Sequence, residues 1–266
     1  MTDRYAVIGN PVAHSKSPWI HAEFARATGE DIEYGRIEAP RDGFAGAVDA
    51  FRRGGGKGLN VTLPFKEAAF RYCGGRVTQR AAAGQAANTL DFRTEVQGDN
   101  TDGVGLVRDI SENLGWVLQG KSLLIMGAGG AAQAVVGALL DAGAGSLVIA
   151  NRTVAKAQAL AARFPGVLGC GYDALEGRVF DVAINATSAG LSGEAPALPE
   201  GILGKRTLAY DMVYGRETPF LAAARSAGAR TCDGLGMLVE QAAESFFVWR
   251  GVRPETRLLL RKLRGG

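Results

Sequence analysis

Short apolar runs alternate with amphipathic stretches along almost the whole chain. Residues 5–9 (YAVIG) read as a buried strand, and residues 17–29 (SPWIHAEFARATG) as a helix capped by Ser17 with Pro18 at its first position. Strand 33–39 (EYGRIEA), helix 43–55 (GFAGAVDAFRRGG) and strand 58–63 (GLNVTL) follow. This βαβαβ order implies a largely parallel sheet with right-handed crossovers. Residues 87–92 (ANTLDF) and 95–100 (EVQGDN) predict a hairpin about Arg93 and Thr94, and residues 101–115 a helix. From Lys121 a second alternation begins: strands at 122–127, 146–151, 180–187 and 207–213, and helices at 131–143, 154–164 and 218–228. Residues 234–251 and 254–264 close the chain as helices. The fold class is α/β in two units with a boundary near Asp102; the pattern leaves open which unit takes the last helices.

Composition narrows the class. The 266 residues are 47% hydrophobic and 21% charged with a formal net charge of +3, as in a soluble globular protein of two cores. Lysine and arginine form no run, so no nucleic-acid partner is expected. Cys73, Cys170 and Cys232 are far apart, and only His14 and His21 could join them as nitrogen ligands. Neither a disulfide framework nor a metal site is expected. No apolar stretch reaches the ~18 residues of a membrane span, and the N-terminal apolar run is short for a signal peptide. A cytoplasmic protein is the expectation.

Candidate chemistry appears first in the second alternation. Gly127, Gly129 and Ala132 form G-x-G-x-x-A between a strand and a helix. There the first glycine permits the tight turn, the second admits a pyrophosphate, and the small third residue lets helix and strand pack closely. The next strand ends in Asn151, Arg152 and Thr153, with Lys156 one turn on, where an NAD-binding unit usually carries an acid. A carboxylate would repel a 2′-phosphate, whereas arginine grips it with a planar fork. The expected cofactor is NADP(H).

In the first unit, polar clusters fall at strand ends or loop starts: His14–Ser17, Asn60 to Lys66, Asn88 with Thr89, and Gly98 to Asp102. Ligands of open α/β sheets bind beyond the carboxyl ends of the strands, so the clusters could converge. Each also has a plain structural use: Ser17 and Asp102 suit helix caps, and Asn60 and Thr62 could satisfy a turn. Lys66 is the odd one. It opens a helix after the proline-broken strand NVTLPF, where the helix dipole disfavours positive charge. A proton-transfer role, with Asp102 holding the ammonium, accounts for that placement.

The motifs IGNPVAHSKSPWIH, NVTLPFK, ANTL, GDNTDGVG, GAGGAA, NRT, NATSAG, DMVYG and DGLGMLVEQAAESFFVWRG occur in that order. Together they resemble the shikimate dehydrogenase family, over residues 5–251. The resemblance implies NADPH-dependent reduction of 3-dehydroshikimate to shikimate on the route to chorismate and aromatic amino acids. It implies a substrate domain of residues 1–102 plus 235–266 and a Rossmann-type domain of residues 103–234. Ser15 and Ser17 would bind the substrate carboxylate; Asn60, Thr62, Asn88, Asp102 and Gln241 its ring hydroxyls; and Tyr214 would line the pocket. Lys66 would be the acid/base, paired with Asp102. Gly127, Ala128, Gly129, Gly130, Ala131 and Ala132 would take the pyrophosphate, and Asn151, Arg152, Thr153 and Lys156 the 2′-phosphate. Thr187 would be a further cofactor contact, and Met212, Gly234 and Met237 would border the nicotinamide. The other reading within the family is an enzyme that accepts quinate or NAD; Arg152 and Lys156 argue against NAD. Partners would be the small-molecule substrate alone, with the protein a monomer or homodimer. One departure stands out: Gln85 occupies a position where the family usually has glycine.

Overall fold

In the computed structural model, which describes residues 2–187 and 196–265, the chain forms two units: Met1–Gly105 with Leu238–Gly266, and Leu106–Met237. In the first, strands β1 (Asp3–Gly9), β2 (Ile32–Glu38), β3 (Gly56–Val61), β4 (Thr89–Asp91) and β5 (Gln97–Asp99) pair in the order β2-β1-β3-β4-β5. The first three are parallel, and β4 runs antiparallel to both β3 and β5. The carboxyl ends of β3 and β5 therefore share one sheet edge with the start of β4, and the register places Asn60 opposite Thr89 and Thr89 opposite Asp99. Ile8, Leu59, Val61 and Leu90 are buried between covering helices, which is why β1 and β3 read as unbroken apolar runs.

Helices α1 (Ser17–Thr28) and α2 (Phe44–Arg53) make the crossovers. The cap of α1 differs from expectation. Lys16 is the cap residue and Ser17 is already helical; its N–H donates to Ser15 Oγ at 3.2 Å. The hydroxyl two residues upstream thus meets a free helix donor. Helix α3 (Lys66–Tyr72) starts on Lys66 itself, with Phe65 as its cap.

Helix α4 (Gln79–Gly84) has no counterpart in the sequence reading, because its alanines carry no hydrophobic period. Thr78 caps it, and Gln85 ends it in the left-handed region at φ 49°. A side chain there crowds its own carbonyl, which costs ~1 kcal/mol or more and explains the glycine of the family. Gln85→Gly is therefore expected to raise Tm by roughly 2–4 °C, read by differential scanning calorimetry.

Helix α5 (Asp102–Arg108) passes into the second unit and continues as a π turn over Asp109–Asn113 rather than as an uninterrupted helix. The buried Asp109 carboxylate accepts from Tyr210 Oη (2.7 Å) and Asn113 Nδ2 (3.0 Å), which holds the widened turn. Strands β6 (Ser122–Met126), β7 (Ser146–Ala150), β8 (Leu168–Cys170), β9 (Val182–Asn185), β10 (Leu208–Asp211) and β11 (Arg230–Cys232) form an all-parallel sheet, ordered β11-β10-β9-β6-β7-β8. Counted from β6 this is the doubly wound 3-2-1-4-5-6 order of dinucleotide-binding domains. The edge strands β8 and β11 are only three residues each and have too little apolar run to be read from sequence. Helices α6 (Gly130–Asp141), α7 (Val154–Ala161) and α8 (Pro219–Ser226) cover the sheet. Within α9 (Leu235–Arg250) the chain returns to the first unit, where α10 (Arg257–Leu263) ends it. There Val239, Ala242 and Phe246 pack on Ile20 and Phe24 of α1. No described helix is long and apolar enough to cross a membrane.

Candidate active site

The polar clusters of the first unit meet at the shared sheet edge. Lys66 Nζ donates to Asp102 Oδ2 at 2.6 Å, with the lysine side chain 18% exposed and the aspartate 7%. Asp102 Oδ1 accepts from Asn88 Nδ2 at 3.0 Å, and the Asp102 N–H donates to Asn100 Oδ1 at 3.1 Å. The carboxylate is thereby fixed by a cation and an amide, and the backbone behind it by a second amide. The pair takes one of three ammonium protons, which leaves two for an incoming oxygen.

Around this pair lies a buried amide–hydroxyl network. Asn88 Nδ2 also faces Thr101 Oγ1 (2.9 Å) and Gln241 Oε1 (3.2 Å), while Asn88 Oδ1 accepts from the Thr101 N–H at 2.8 Å. Asn60 Nδ2 donates to Ser245 Oγ (2.9 Å), and Asn60 Oδ1 accepts from Tyr34 Oη (2.7 Å). The Thr89, Thr101 and Ser245 hydroxyls bond to one another. Ser245 lies four residues after Gln241, on the same face of α9, a spacing that could have marked it in the sequence. Tyr34 carried no such signal.

Ser15 and Ser17 come together through their hydroxyls, 3.2 Å apart, at the start of α1. Thr62 stands just past β3, where its methyl comes within 2.5 Å of the place a Cβ on Gly9 would take. His21 is fully buried, stacked on Tyr34 with ring centroids 4.1 Å apart. Burial lowers its pKa to about 3, against a smaller opposing pull from Asn60, so the ring is neutral near pH 7.

Beneath the network, Asp99 accepts from Arg80 Nε and Nη2, both at 2.6 Å, from Thr78 Oγ1 (2.6 Å) and from the Asn100 N–H (2.7 Å). Arg80 also donates to Glu244 at 2.9 Å. Burial alone would lower the Arg80 pKa, but the bonds and charges of Asp99 and Glu244 outweigh it and hold the pKa above its ordinary value. Neither Arg80 nor Glu244 stood out in the sequence.

In the second unit, Gly127 turns at φ 104° directly after β6, and a Cβ there would press within 3.1 Å of the Ala186 carbonyl. Ala128 and Ala132 are buried, while Gly129 is the cap of α6 and Gly130 and Ala131 open its first turn. No side chain caps that helix and no acid lies in its first turn, the arrangement that an anion at a helix start requires. Past the end of β7, Asn151 Nδ2 donates to the Thr153 carbonyl at 3.0 Å, and Arg152 and Lys156 are exposed. Thr187 donates to Asn185 Oδ1 at 2.7 Å; the rest of its motif, residues 188–190, lies outside the described residues. Gly234 touches the chain at Met212, whose carbonyl would be 2.4 Å from a Cβ, and the Met237 N–H donates to Tyr210 Oη at 3.3 Å. Tyr214 is half-buried in this unit, which raises its phenol pKa.

Three family models match the chain in order: the shikimate dehydrogenase substrate binding domain over residues 7–90, shikimate/quinate 5-dehydrogenase over 109–192, and the shikimate 5′-dehydrogenase C-terminal domain over 234–264. The NADP(+) shikimate dehydrogenase of Chromobacterium violaceum is 58% identical, over 99% of this chain and 98% of its own. The chain belongs to the shikimate dehydrogenase family. Solved structures carry the same fold. An Ael1 enzyme from Pseudomonas putida superposes with a TM-score of 0.93 at 49% identity, covering 98% of each chain. Shikimate 5-dehydrogenase from Thermus thermophilus, solved with NADP(H) and shikimate, gives 0.89 at 33% identity, covering 99% of each.

Proposed function

We propose that the protein catalyses the reversible NADPH-dependent reduction of 3-dehydroshikimate to shikimate, in the pathway to chorismate and the aromatic amino acids. The observation that carries this reading is the Lys66–Asp102 pair at 2.6 Å, tied through Asn88 to Gln241. A half-buried ammonium with free protons, held by a carboxylate and ringed by amides and hydroxyls, suits a polyhydroxylated ring bearing a carbonyl.

The unit holding Lys66 binds the substrate. Ser15 and Ser17 take its carboxylate, while Asn60, Thr62, Asn88, Asp102 and Gln241 take ring hydroxyls; Tyr214 is a further candidate substrate residue. In reduction, the Lys66 ammonium gives a proton to the carbonyl oxygen as negative charge develops there; in oxidation, the neutral amine removes the hydroxyl proton. Asp102 keeps the amine aimed through its hydrogen bond. The other unit holds the dinucleotide. Its uncapped α6, the turn at Gly127 and the exposed Arg152 and Lys156 fit a pyrophosphate and a 2′-phosphate. Gly127 to Ala132 take the former; Asn151, Arg152, Thr153 and Lys156 take the latter; Thr187, Met212, Gly234 and Met237 lie toward the nicotinamide. NADPH, when bound, supplies the hydride. The protein works in the cytoplasm, where both small molecules are dissolved, as a monomer or homodimer.

Arg152→Ala tests the cofactor assignment. The loss of charge-assisted hydrogen bonds is expected to raise KM for NADP+ by about 30-fold and to leave KM for NAD+ within about threefold. Steady-state kinetics with each cofactor would measure both, and equal changes would count against a 2′-phosphate seat at Arg152.

A further inference from the structure

The substrate proposed above is an anion, yet Ser15 and Ser17 are neutral, and the Lys66 charge is already matched by Asp102. One nearby cation has no role so far. Arg36, on β2, donates from Nη2 to the Ser15 backbone carbonyl at 2.6 Å, tying the serine-bearing segment between β1 and α1 to the sheet. A guanidinium has five N–H donors, so one such bond leaves most of the fork open. Glu38, two residues along the same strand, turns its carboxylate toward the Val12 N–H instead, at 3.5 Å.

The neighbour of Arg36 on that face of β2 also belongs to the site. Tyr34 lies two residues earlier on β2, on the same side of the strand, and its hydroxyl donates to Asn60 Oδ1 at 2.7 Å. Burial raises the pKa of that phenol, and the positive charge of Arg36 pulls it the other way. Arg36 thus meets the serine segment at the Ser15 carbonyl, beside a tyrosine that is itself bonded into the site through Asn60.

We infer that Arg36 sets the specificity for a carboxylate-bearing substrate: it anchors the Ser15 segment and supplies the positive charge that the two serines lack. The inference rests on the proposed reaction for the identity of the anion. Arg36 is exposed, so its field is screened by salt, and its contribution falls as ionic strength rises. Lys16, the cap residue of α1, is the other cation of this segment. It shares no hydrogen bond with either serine among the described residues.

The test compares shikimate with its uncharged carboxamide. In wild type, the carboxamide should inhibit shikimate oxidation weakly. Arg36→Gln is expected to raise KM for shikimate about tenfold, with a much smaller change in kcat, and to leave the inhibition constant of the carboxamide within about twofold. Arg36→Lys keeps the charge but loses the fork, so it should recover part of the loss. Lys16→Ala should shift KM by less than about twofold. The KM for shikimate should rise with added salt in wild type and stay nearly flat in Arg36→Gln. If Arg36→Gln weakens acid and amide alike, Arg36 is only a scaffold for the loop and the inference falls. An unchanged KM for shikimate overturns it as well. Wild-type turnover of shikimate is read in the same experiment and bears on the reaction, not on Arg36.

Discussion

Lys66→Ala is expected to lower kcat for shikimate oxidation by about 10²–10⁴-fold while leaving NADP+ affinity largely intact. The expectation follows from where the amine sits. Lys66 opens α3 beside a carboxylate at 2.6 Å, and its side chain is accessible enough to meet an oxygen. No other cation is bound to Asp102 among its hydrogen-bond partners, so alanine leaves nothing to give or take the proton. Lys66→Arg should fail to rescue, because a guanidinium keeps its charge and does not release a proton near neutrality. Initial rates alongside a direct NADP+ titration measure both quantities. Near-normal turnover in Lys66→Ala would remove the lysine from the chemistry.

Arg80→Ala is expected to destabilise the protein by about 2–3 kcal/mol, less than a fully buried pair would because the guanidinium is partly solvated. That corresponds to a fall in Tm of roughly 5–10 °C. The variant strips the cation from Asp99 and Glu244, whose side chains are only 7% and 8% exposed. Glu244 keeps its pairing with Arg253, and Asp99 keeps Thr78 and the Asn100 N–H, so the loss falls short of complete unpairing. Turnover should fall as well. The Asp99 carbonyl accepts the Asn88 N–H at 3.0 Å, and its carboxylate fixes Asn100, which in turn holds the Asp102 backbone. Calorimetry and kinetics on the same preparation would show both changes; unaltered Tm would mean that the bidentate pair adds nothing to the fold.

The strands buried on both faces were legible because their apolar runs are continuous, as in β1, β6 and β7. Topology carried much of the site as well: a βαβαβ order followed by a hairpin puts the carboxyl ends of β3 and β5 on one edge, and Lys66 and Asp102 follow those ends. What the sequence hid depends on contacts between distant positions. Asn60 bonds Ser245, and Arg80 joins Asp99 to Glu244, across stretches with no local signal. Helix α4 was hidden for another reason, since alanines without a period announce no face, and the two short edge strands lack the length a pattern needs. The cap of α1 was displaced by one residue because Ser15, not Ser17, offers the oxygen that the first helical N–H reaches. At Gln85 the comparison ran the other way. A departure from the family pattern in sequence became a strained left-handed residue in the structure.

The most direct measurement is the initial rate of NADP+ reduction by the purified wild-type protein with shikimate, set beside quinate and beside NAD+. Rapid formation of NADPH that depends on shikimate is expected, with kcat/KM for NADP+ at least about tenfold above that for NAD+. Absence of shikimate-dependent NADPH formation from folded protein would contradict the proposed reaction.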